Sequence, residues 1–167
     1  MRAARERQFR AIADEATPAI GAYIQRRIYP LSPSDVDDLV EEVLIIAWRR
    51  LDDIPADAVV PWLIGVARNV LRNAHRKYRR GELATASLAP AHHDASAEER
   101  VIADEAVRSA LEALSEDDRD IVLMHAWDGL SSAQIGTILG ITTNAAAVRL
   151  SRAQERFRSH FSSVTVG

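Results

Sequence analysis

Residues 130–153 read LSSAQIGTILGITTNAAAVRLSRA and contain the signals that begin and end a short helix. Ser131 and Gln134 have the spacing of a capping box, in which each side chain bonds a free backbone N–H at the start of the helix. Leu130 and Ile135 have the spacing of a hydrophobic staple across the same turn. Gly140 ends the helix, because glycine readily adopts the left-handed conformation of a C-terminal cap.

A second helix follows the glycine turn, capped by Thr142 or Thr143 and running to about Phe161. Its small and apolar residues line one face: Ala146, Leu150, Ala153 and Phe157. Its arginines occupy a different face: Arg149, Arg152 and Arg156, with Ser151 beside them. Because the planar fork of arginine bonds guanine edges or phosphates in pairs, the pattern favours a DNA-binding helix-turn-helix. The alternative is a solvated basic face on an ordinary helical hairpin.

The composition limits the class of protein. The chain of 167 residues, 47% apolar and 27% charged, suits one soluble domain or two small ones. No apolar run approaches the roughly 18 residues that span a bilayer, and the charged N-terminus lacks the apolar core of a secretory signal, so no membrane insertion is expected. With no cysteine there is no disulfide, thiolate nucleophile or cysteine-based zinc site. We therefore expect a cytoplasmic protein without a metal.

The net charge of −3 conceals a segregation of charge along the chain. Between Asp35 and Asp57 there are eight acids and only two basic residues, whereas between Trp62 and Arg80 there are six basic residues and no acid. Charges farther apart than roughly 8–10 Å are largely screened at cellular salt, so local sign matters more than the total. One surface therefore suits a basic partner and another an anionic partner.

The N-terminal half shows helical periodicity. A first helix is predicted over Arg5 to Ile28, with an interruption near Thr17-Pro18, where the proline can open a new turn. After a break at residues 29–33, Ser34 is the expected N-cap of a second helix, with Asp37 at the third position. The apolar residues of this helix recur every three or four positions: Val36, Leu39, Val40, Val43, Leu44, Ala47 and Leu51.

A loop is predicted over residues 52–61, which contain two prolines and several acids. The next helix is predicted from Trp62 to about Arg79, with Trp62 as an anchor in the core. Its predicted apolar face comprises Trp62, Leu63, Val66, Ala67, Val70, Leu71 and Ala74.

Residues 81–98 are rich in small residues and lack apolar periodicity, so they are predicted to form a flexible linker. This linker separates a domain at residues 1–80 from a second domain at residues 99–167. In the second domain a helix is expected from near Ala97 to Leu114, and Ser115 is the expected cap of the next. The predicted fold is all-α: two small helical domains joined by a flexible linker, the second a helix-turn-helix.

Three segments together resemble the extracytoplasmic-function group of the sigma-70 family of RNA polymerase sigma factors. The helix-turn-helix at residues 130–153 is similar to the promoter-reading segment of that family. Residues 35–43, DVDDLVEEV, resemble its polymerase-binding helix, and residues 62–69, WLIGVARN, resemble its promoter-melting segment. The resemblance extends from Phe9 to Phe161. It implies a protein that binds core RNA polymerase and promoter DNA and is not an enzyme.

The resemblance implies that the acidic helix docks on the clamp helices of the largest polymerase subunit. The residues assigned to this contact are Asp38, Glu41, Glu42 and Ile45. Ile45 lies near the acids on the side away from the core, and a mixed acidic and apolar surface is typical of an interface. A solvated acidic face is the alternative.

The resemblance also implies contacts with the single-stranded −10 element of a promoter. In that family the loop before the tryptophan captures an extruded base, and the helix after it holds the strand's backbone. The corresponding residues here are Asp57, Val59, Val60, Arg68, Asn69, Arg72, Asn73 and Arg76. The loop has no aromatic residue on which a base could stack.

For the −35 duplex, the resemblance assigns base contacts to the second helix of the helix-turn-helix. The candidates are Arg149, Ser151 and Arg152, with Thr143 and Asn144 near the helix start for phosphate. Ala147 and Val148 stand where many relatives carry a basic residue and a small hydroxyl. Arg156 and Arg158 are expected to touch the DNA backbone or solvent.

Other candidate sites are weaker. His92, His93 and Asp94 lie in the predicted linker without a further ligand cluster, so no metal site is predicted there. His125, near Trp127, is predicted to be structural. Paired catalytic carboxylates, a nucleophile motif and a phosphate-binding glycine loop are all missing, so neither catalytic residues nor a cofactor is predicted.

Two other functions fit parts of the pattern. One is a stand-alone helix-turn-helix regulator that binds a palindromic duplex without polymerase. The other is a helical module that only sequesters a protein partner. The resemblance implies three kinds of partner: core RNA polymerase, duplex promoter DNA at −35 and single-stranded promoter DNA at −10. An anti-sigma factor is a further possible partner, because members of the resembled family are often held inactive by one.

Overall fold

The computed structural model describes residues 1–81 and 98–166, and of residues 98–104 only the backbone. The described elements are all helices, which confirms the predicted all-α fold. The chain forms two compact helical units, one on each side of residues 82–97. The predicted linker at 81–98 lies almost entirely outside the described residues. No helix within the described ranges is long and apolar enough to cross a membrane.

The first helix, α1 (Arg2–Arg26), is continuous through Pro18, so the predicted interruption is wrong. Pro18 has no N–H to donate to the preceding turn, and alone it would weaken the helix there. Buried residues lie both before and after it along the helix: Ile12, Ala16, Ile20, Tyr23 and Ile24. Burial of apolar groups on both sides of the proline holds the two halves as one helix, because tertiary packing supplies most helical stability in proteins.

The N-terminal end of α1 is attached to the end of the second helix by an aromatic and ionic cluster. The guanidinium of Arg5 bonds Asp52 at 2.7 Å and the carbonyl of Trp48 at 3.2 Å. It also lies 5.5 Å from the centre of the Trp48 ring, which meets Phe9 edge to face at 5.3 Å. A single arginine therefore joins the first turns of α1 to a segment 47 residues away.

The second helix, α2 (Val36–Arg49), is preceded by a 3-10 turn at Pro33–Asp35. The prediction of Ser34 as the N-cap of α2 is wrong, because that position is taken by Asp35, whose side chain makes no capping bond to α2. The capping box belongs to the 3-10 turn: the Ser32 hydroxyl accepts from the N–H of Ser34 at 3.3 Å, and Asp35 accepts from the N–H of Ser32 at 3.0 Å. The reason is Pro33, which restricts Ser32 to the extended conformation of an N-cap.

The core face of α2 comprises Leu39, Val43 and Ala47, and Leu51 continues it in the following 3-10 turn, Leu51–Asp53. Val36, Val40 and Leu44, which the pattern placed on the same stripe, are half-buried at its margin. This face packs against both α1 and the third helix, so the N-terminal unit is a bundle of three mutually packed helices.

The third helix, α3 (Val59–Arg79), begins three residues earlier than predicted. Pro61 does not prevent this, because proline is tolerated in the first turn, where the N–H groups have no partner inside the helix. The buried face is Leu63, Ile64, Ala67, Val70, Leu71 and Ala74.

Trp62 lies half-buried at the margin of α3, so its prediction as a core anchor is wrong. Ile64, which the predicted face omitted, is buried and turns the apolar face away from Trp62. The indole is covered instead by Arg50, whose guanidinium lies 5.1 Å from the ring centre and bonds Asp53 at 3.0 Å.

The C-terminal unit contains α4 (Glu98–Glu112), α5 (Glu116–Ala126), α6 (Ser132–Leu139) and α7 (Thr143–Thr165). The last helix packs against the other three. One part of the core joins Leu114, Val122 and Ala153, with Leu111 and Phe157 packed against them. The Ser115 hydroxyl accepts from the N–H of Asp118 at 3.2 Å, so the predicted cap of α5 is confirmed.

Arg119 connects α5 to the end of α4. Its guanidinium donates to three backbone carbonyls, those of Leu111 at 2.8 Å, Glu112 at 3.3 Å and Leu114 at 3.2 Å. The carbonyl of Leu111 also accepts from the N–H of Leu114, so the arginine adds a second bond there and supplies partners to carbonyls at the end of α4 and in the turn after it.

The turn between α6 and α7 has the predicted local structure. Ser131 and Gln134 form the capping box, with bonds of 3.2 and 2.9 Å, and Gly140 is left-handed with φ of 66°. Thr142 is the cap of α7, since its hydroxyl accepts from the N–H of Ala145 at 3.1 Å. The turn also requires glycine at position 136. A Cβ added there would lie 2.9 Å from the backbone carbonyl oxygen of Ile141.

We expect Gly136→Ala to lower the free energy of unfolding by about 1–3 kcal/mol, since the added methyl meets backbone that cannot move aside without distorting the turn. Gly21→Ala is the matched control, because Gly21 is also helical and nothing lies within 4 Å of an added Cβ. That substitution should leave stability unchanged or raise it by up to about 1 kcal/mol. Urea unfolding followed by far-ultraviolet circular dichroism measures both, and a stabilised Gly136→Ala protein would contradict the close approach.

Candidate nucleic-acid interface

The exposed face of α7 carries the residues predicted to read duplex DNA. Arg149, Ser151 and Arg152 are all exposed. Ala146, Leu150 and Ala153 are buried and attach the helix to the core. The side chains that could reach a base edge are therefore held on a rigid helix and are not used for packing.

The start of α7 suits an anion. Thr143 and Asn144 occupy its first turn and are exposed. The Thr142 hydroxyl satisfies the N–H of Ala145, whereas the N–H groups of the two preceding residues have no partner inside the helix by virtue of their position. A helix N-terminus with outward N–H groups favours a phosphate, which fits the predicted role of these two residues.

Arg156, the third arginine of the α7 face, forms an ion pair. Its Nη1 lies 2.6 Å from Oδ2 of Asp118 in the first turn of α5. The Asp118 side chain is 20% exposed and that of Arg156 is 55% exposed. The pair spans 38 residues of sequence, and neither residue type nor spacing indicates it.

The candidate residues of α2 form one exposed stripe. Asp38 is followed by Glu41 and Glu42 at three and four positions, and Ile45 follows those two at four and three positions, all on the side away from the buried face. Ile45 is 44% exposed at the C-terminal end of this acidic stripe. Carboxylates beside an exposed apolar side chain could bind a basic surface that also has an apolar contact point.

The candidate residues of α3 also share one face. Asn69 and Arg76 are exposed, and the other three members of the set, Arg68, Arg72 and Asn73, are half-buried. All five lie off the buried face of the helix, within about two turns, but the Nε of Arg72 is itself buried. The most accessible members of the set are therefore Asn69 and Arg76.

The loop before α3, which was predicted to capture a base, is shorter than predicted because α3 begins at Val59. Asp57 precedes α3 and is exposed, whereas Val59 and Val60 belong to its first turn. Val59 is buried and Val60 is half-buried. Of these three candidates, only Asp57 and part of Val60 are accessible to a ligand.

The histidines do not form a metal site in the described part of the chain, where no group of three or more potential ligands occurs. His125 Nδ1 lies 3.0 Å from the carbonyl oxygen of Leu130, a contact that fits its predicted structural role. Trp127, two residues on, is 45% exposed. His92, His93 and Asp94 lie outside the described residues.

Two family models match the chain. The model described as Sigma-70 region 2 matches residues 18–81, and the one described as Sigma-70, region 4 matches residues 104–156. The first match contains α2 and α3, and the second contains the helix-turn-helix.

Known proteins agree with this match. The probable RNA polymerase sigma factor RfaY of Xanthomonas campestris is 34% identical over 132 residues, which are 74% of this chain and 33% of that protein. The chain thus spans about a third of the length of that relative. The ECF RNA polymerase sigma factor EcfG of Rhodopseudomonas palustris is 30% identical over 72% of this chain and 67% of its own.

A solved structure shares the fold. It contains the sigma factor RpoE in complex with the anti-sigma factor NepR from Bartonella quintana, and it matches with a TM-score of 0.61 at 22% identity. The match covers 92% of this chain and 96% of that one. With both family models and the relative from Rhodopseudomonas in agreement, the chain belongs to the extracytoplasmic-function group of the sigma-70 family of RNA polymerase sigma factors.

Proposed function

We propose that this chain binds core RNA polymerase in the cytoplasm and directs it to promoters, without catalysing a reaction itself. The observation that supports this most is the exposure of the arginine face of α7, which is set by a capped and glycine-closed helix-turn-helix. We assign polymerase binding and the −10 element to the domain at residues 1–80, and the −35 element to the domain at residues 99–167.

Polymerase docking is assigned to the acidic stripe of α2. Its three carboxylates would face basic side chains of the clamp helices, and Ile45 would be the apolar contact at the end of the stripe. Complementary charge sets the orientation and speed of association, while burial of the apolar group adds affinity. All four residues are exposed in the chain by itself, so docking requires no rearrangement of the three-helix bundle.

Strand capture at the −10 element is assigned to the polar face of α3 and to the segment before it. Extruding a base costs a few kcal/mol, which contacts to the base and the backbone must offset. Arg68, Arg72 and Arg76 suit the phosphates, and the amides of Asn69 and Asn73 can donate to and accept from a base edge. Because Val59 is buried, Asp57 and Val60 are the candidates for contact with the extruded base.

Duplex reading at the −35 element is assigned to α7. Arg149, Ser151 and Arg152 would contact base edges in the major groove, and Thr143 and Asn144 would fix the helix start on a phosphate. An anti-sigma factor is a further proposed partner, because the similar structure from Bartonella quintana contains one.

Run-off transcription with purified core polymerase tests the proposal. The chain should produce transcripts from a small set of promoters of its own genome, and core enzyme alone should not. A gel shift on the same promoters separates this role from that of a stand-alone regulator. Such a regulator would form a salt-sensitive specific complex without polymerase, and that result together with an absence of transcripts would overturn the proposal.

Charge reversal on α2 should prevent polymerase binding. We expect Glu41→Lys with Glu42→Lys to weaken the affinity for core polymerase at least roughly tenfold, since like charges placed across an interface cost several kcal/mol. The matched control is Asp14→Lys with Glu15→Lys, which makes the same change of charge at two exposed positions of α1. Binding is measured by fluorescence anisotropy with labelled chain, and equal losses in both double variants would refute a specific docking surface.

Removal of either reading arginine should weaken promoter binding and relax base preference. Arg149→Ala and Arg152→Ala are each expected to cost the holoenzyme about 1–3 kcal/mol of promoter affinity, the usual value of a paired base contact. Arg108→Ala is the control, because Arg108 is also exposed but lies on α4, outside the helix-turn-helix. Promoter affinity and base preference are both measured by competition between the natural promoter and promoters substituted at single −35 positions for binding to the holoenzyme. Unchanged promoter use in the two arginine variants would support a module that only sequesters a partner.

A further inference from the structure

Arg156 occupies a position from which it would be expected to contact DNA. It follows Arg149 and Arg152 at intervals of seven and four along α7, so the three arginines share one stripe about 10 Å long. Unlike the two others it lies directly against a carboxylate, that of Asp118, at 2.6 Å. The positive charge of Arg156 is therefore balanced by a carboxylate of the same chain.

Asp118 is well placed to keep this charge balanced. It lies in the first turn of α5, where a carboxylate is favoured by the helix dipole, and its own N–H is bonded by the Ser115 hydroxyl. Its side chain is four-fifths buried, so the acid is less accessible to solvent than the arginine, whose side chain is 55% exposed. A phosphate that approached Arg156 would have to displace this carboxylate or share the guanidinium with it.

We propose that Asp118 masks Arg156 and so limits the affinity of α7 for DNA of any sequence. By balancing the charge of Arg156, it removes one phosphate contact that would be equal on every sequence. Contacts of that kind supply nearly all non-specific affinity, so their loss weakens the capture of the chain by bulk DNA and leaves base reading by Arg149 and Arg152 unchanged. The inference rests on the proposed −35 role of α7.

Asp118→Asn tests the proposal, because it keeps the shape of the side chain and removes its charge. The probe is a duplex of about 30 base pairs without a promoter, titrated with the full chain at about 50 to 200 mM salt. We expect affinity at the lowest salt to rise roughly three- to tenfold, and the slope of log affinity against log salt to steepen by about 1, the value for one added phosphate contact. Discrimination between promoter and random duplex by the holoenzyme should stay unchanged, because the added contact is equal on both duplexes.

Two controls separate masking from a general change of charge. Glu155→Gln removes one negative charge at the exposed position next to Arg156 and should have less than half the effect. The double variant Asp118→Asn with Arg156→Gln should bind the random duplex as the wild-type chain does. Should Asp118→Asn lower helicity by circular dichroism, Asp118→Ser gives a second way to remove the charge.

The outcomes distinguish this inference from the proposed function. A gain in Asp118→Asn no larger than in Glu155→Gln, or one that persists without Arg156, would overturn the masking role. If transcription from promoters is intact in that case, the function of α7 stands and only the role of Asp118 is wrong. If Arg149→Ala and Arg152→Ala also leave promoter use unchanged, the failure lies in the −35 assignment itself.

Discussion

The backbone contact between α6 and the start of α7 determines where the arginine face of α7 points. The N–H of Ile141 donates to the carbonyl of Gly136 at 2.9 Å. The carbonyl oxygen of Ile141 would lie only 2.9 Å from a Cβ at position 136. Two segments of main chain can lie this close only if one of them has no Cβ. With the left-handed Gly140 between them, this contact fixes the direction in which α7 leaves the turn.

The two faces of the N-terminal unit show how a chain of net negative charge can serve an anionic ligand. The carboxylates of α2 and the guanidinium groups of α3 lie on the outer surfaces of different helices of one bundle. Water and salt screen the two groups from each other over distances beyond about 8–10 Å, so each surface retains its own sign. The overall charge of −3 therefore has little bearing on which partners these surfaces attract.

Local signals were predicted well from the sequence. The Ser131–Gln134 box, the caps at Ser115 and Thr142, and the turn at Gly140 all depend on residues within a few positions of one another. Two errors arose where distant contacts outweighed local preference, whereas the misplaced cap before α2 and the late start predicted for α3 were local errors at Pro33 and Pro61. Pro18 stays inside a helix because residues on both sides of it are buried, and Trp62 lies outside the core because Ile64 takes the buried position.

The same distinction applies to the candidate site. Residues on a single helix face, such as Arg149 and Arg152 or Glu41 and Ile45, were grouped correctly because helical spacing alone places them together. The partners of Arg156 and Arg119 were missed. Asp118 is 38 residues from Arg156, and the carbonyls that Arg119 binds are backbone groups whose position no residue type indicates. Such contacts require the packed structure.

The placement of the three tryptophans has an optical consequence. Trp48 and Trp62 are half-buried in the N-terminal unit, each with an arginine over its ring, whereas Trp127 is 45% exposed in the C-terminal unit. An indole in water emits at longer wavelength than one shielded by protein. The native emission spectrum of the chain is therefore a sum of two bands that belong to different units, and the loss of order in one unit can be followed while the other stays folded, with no added label.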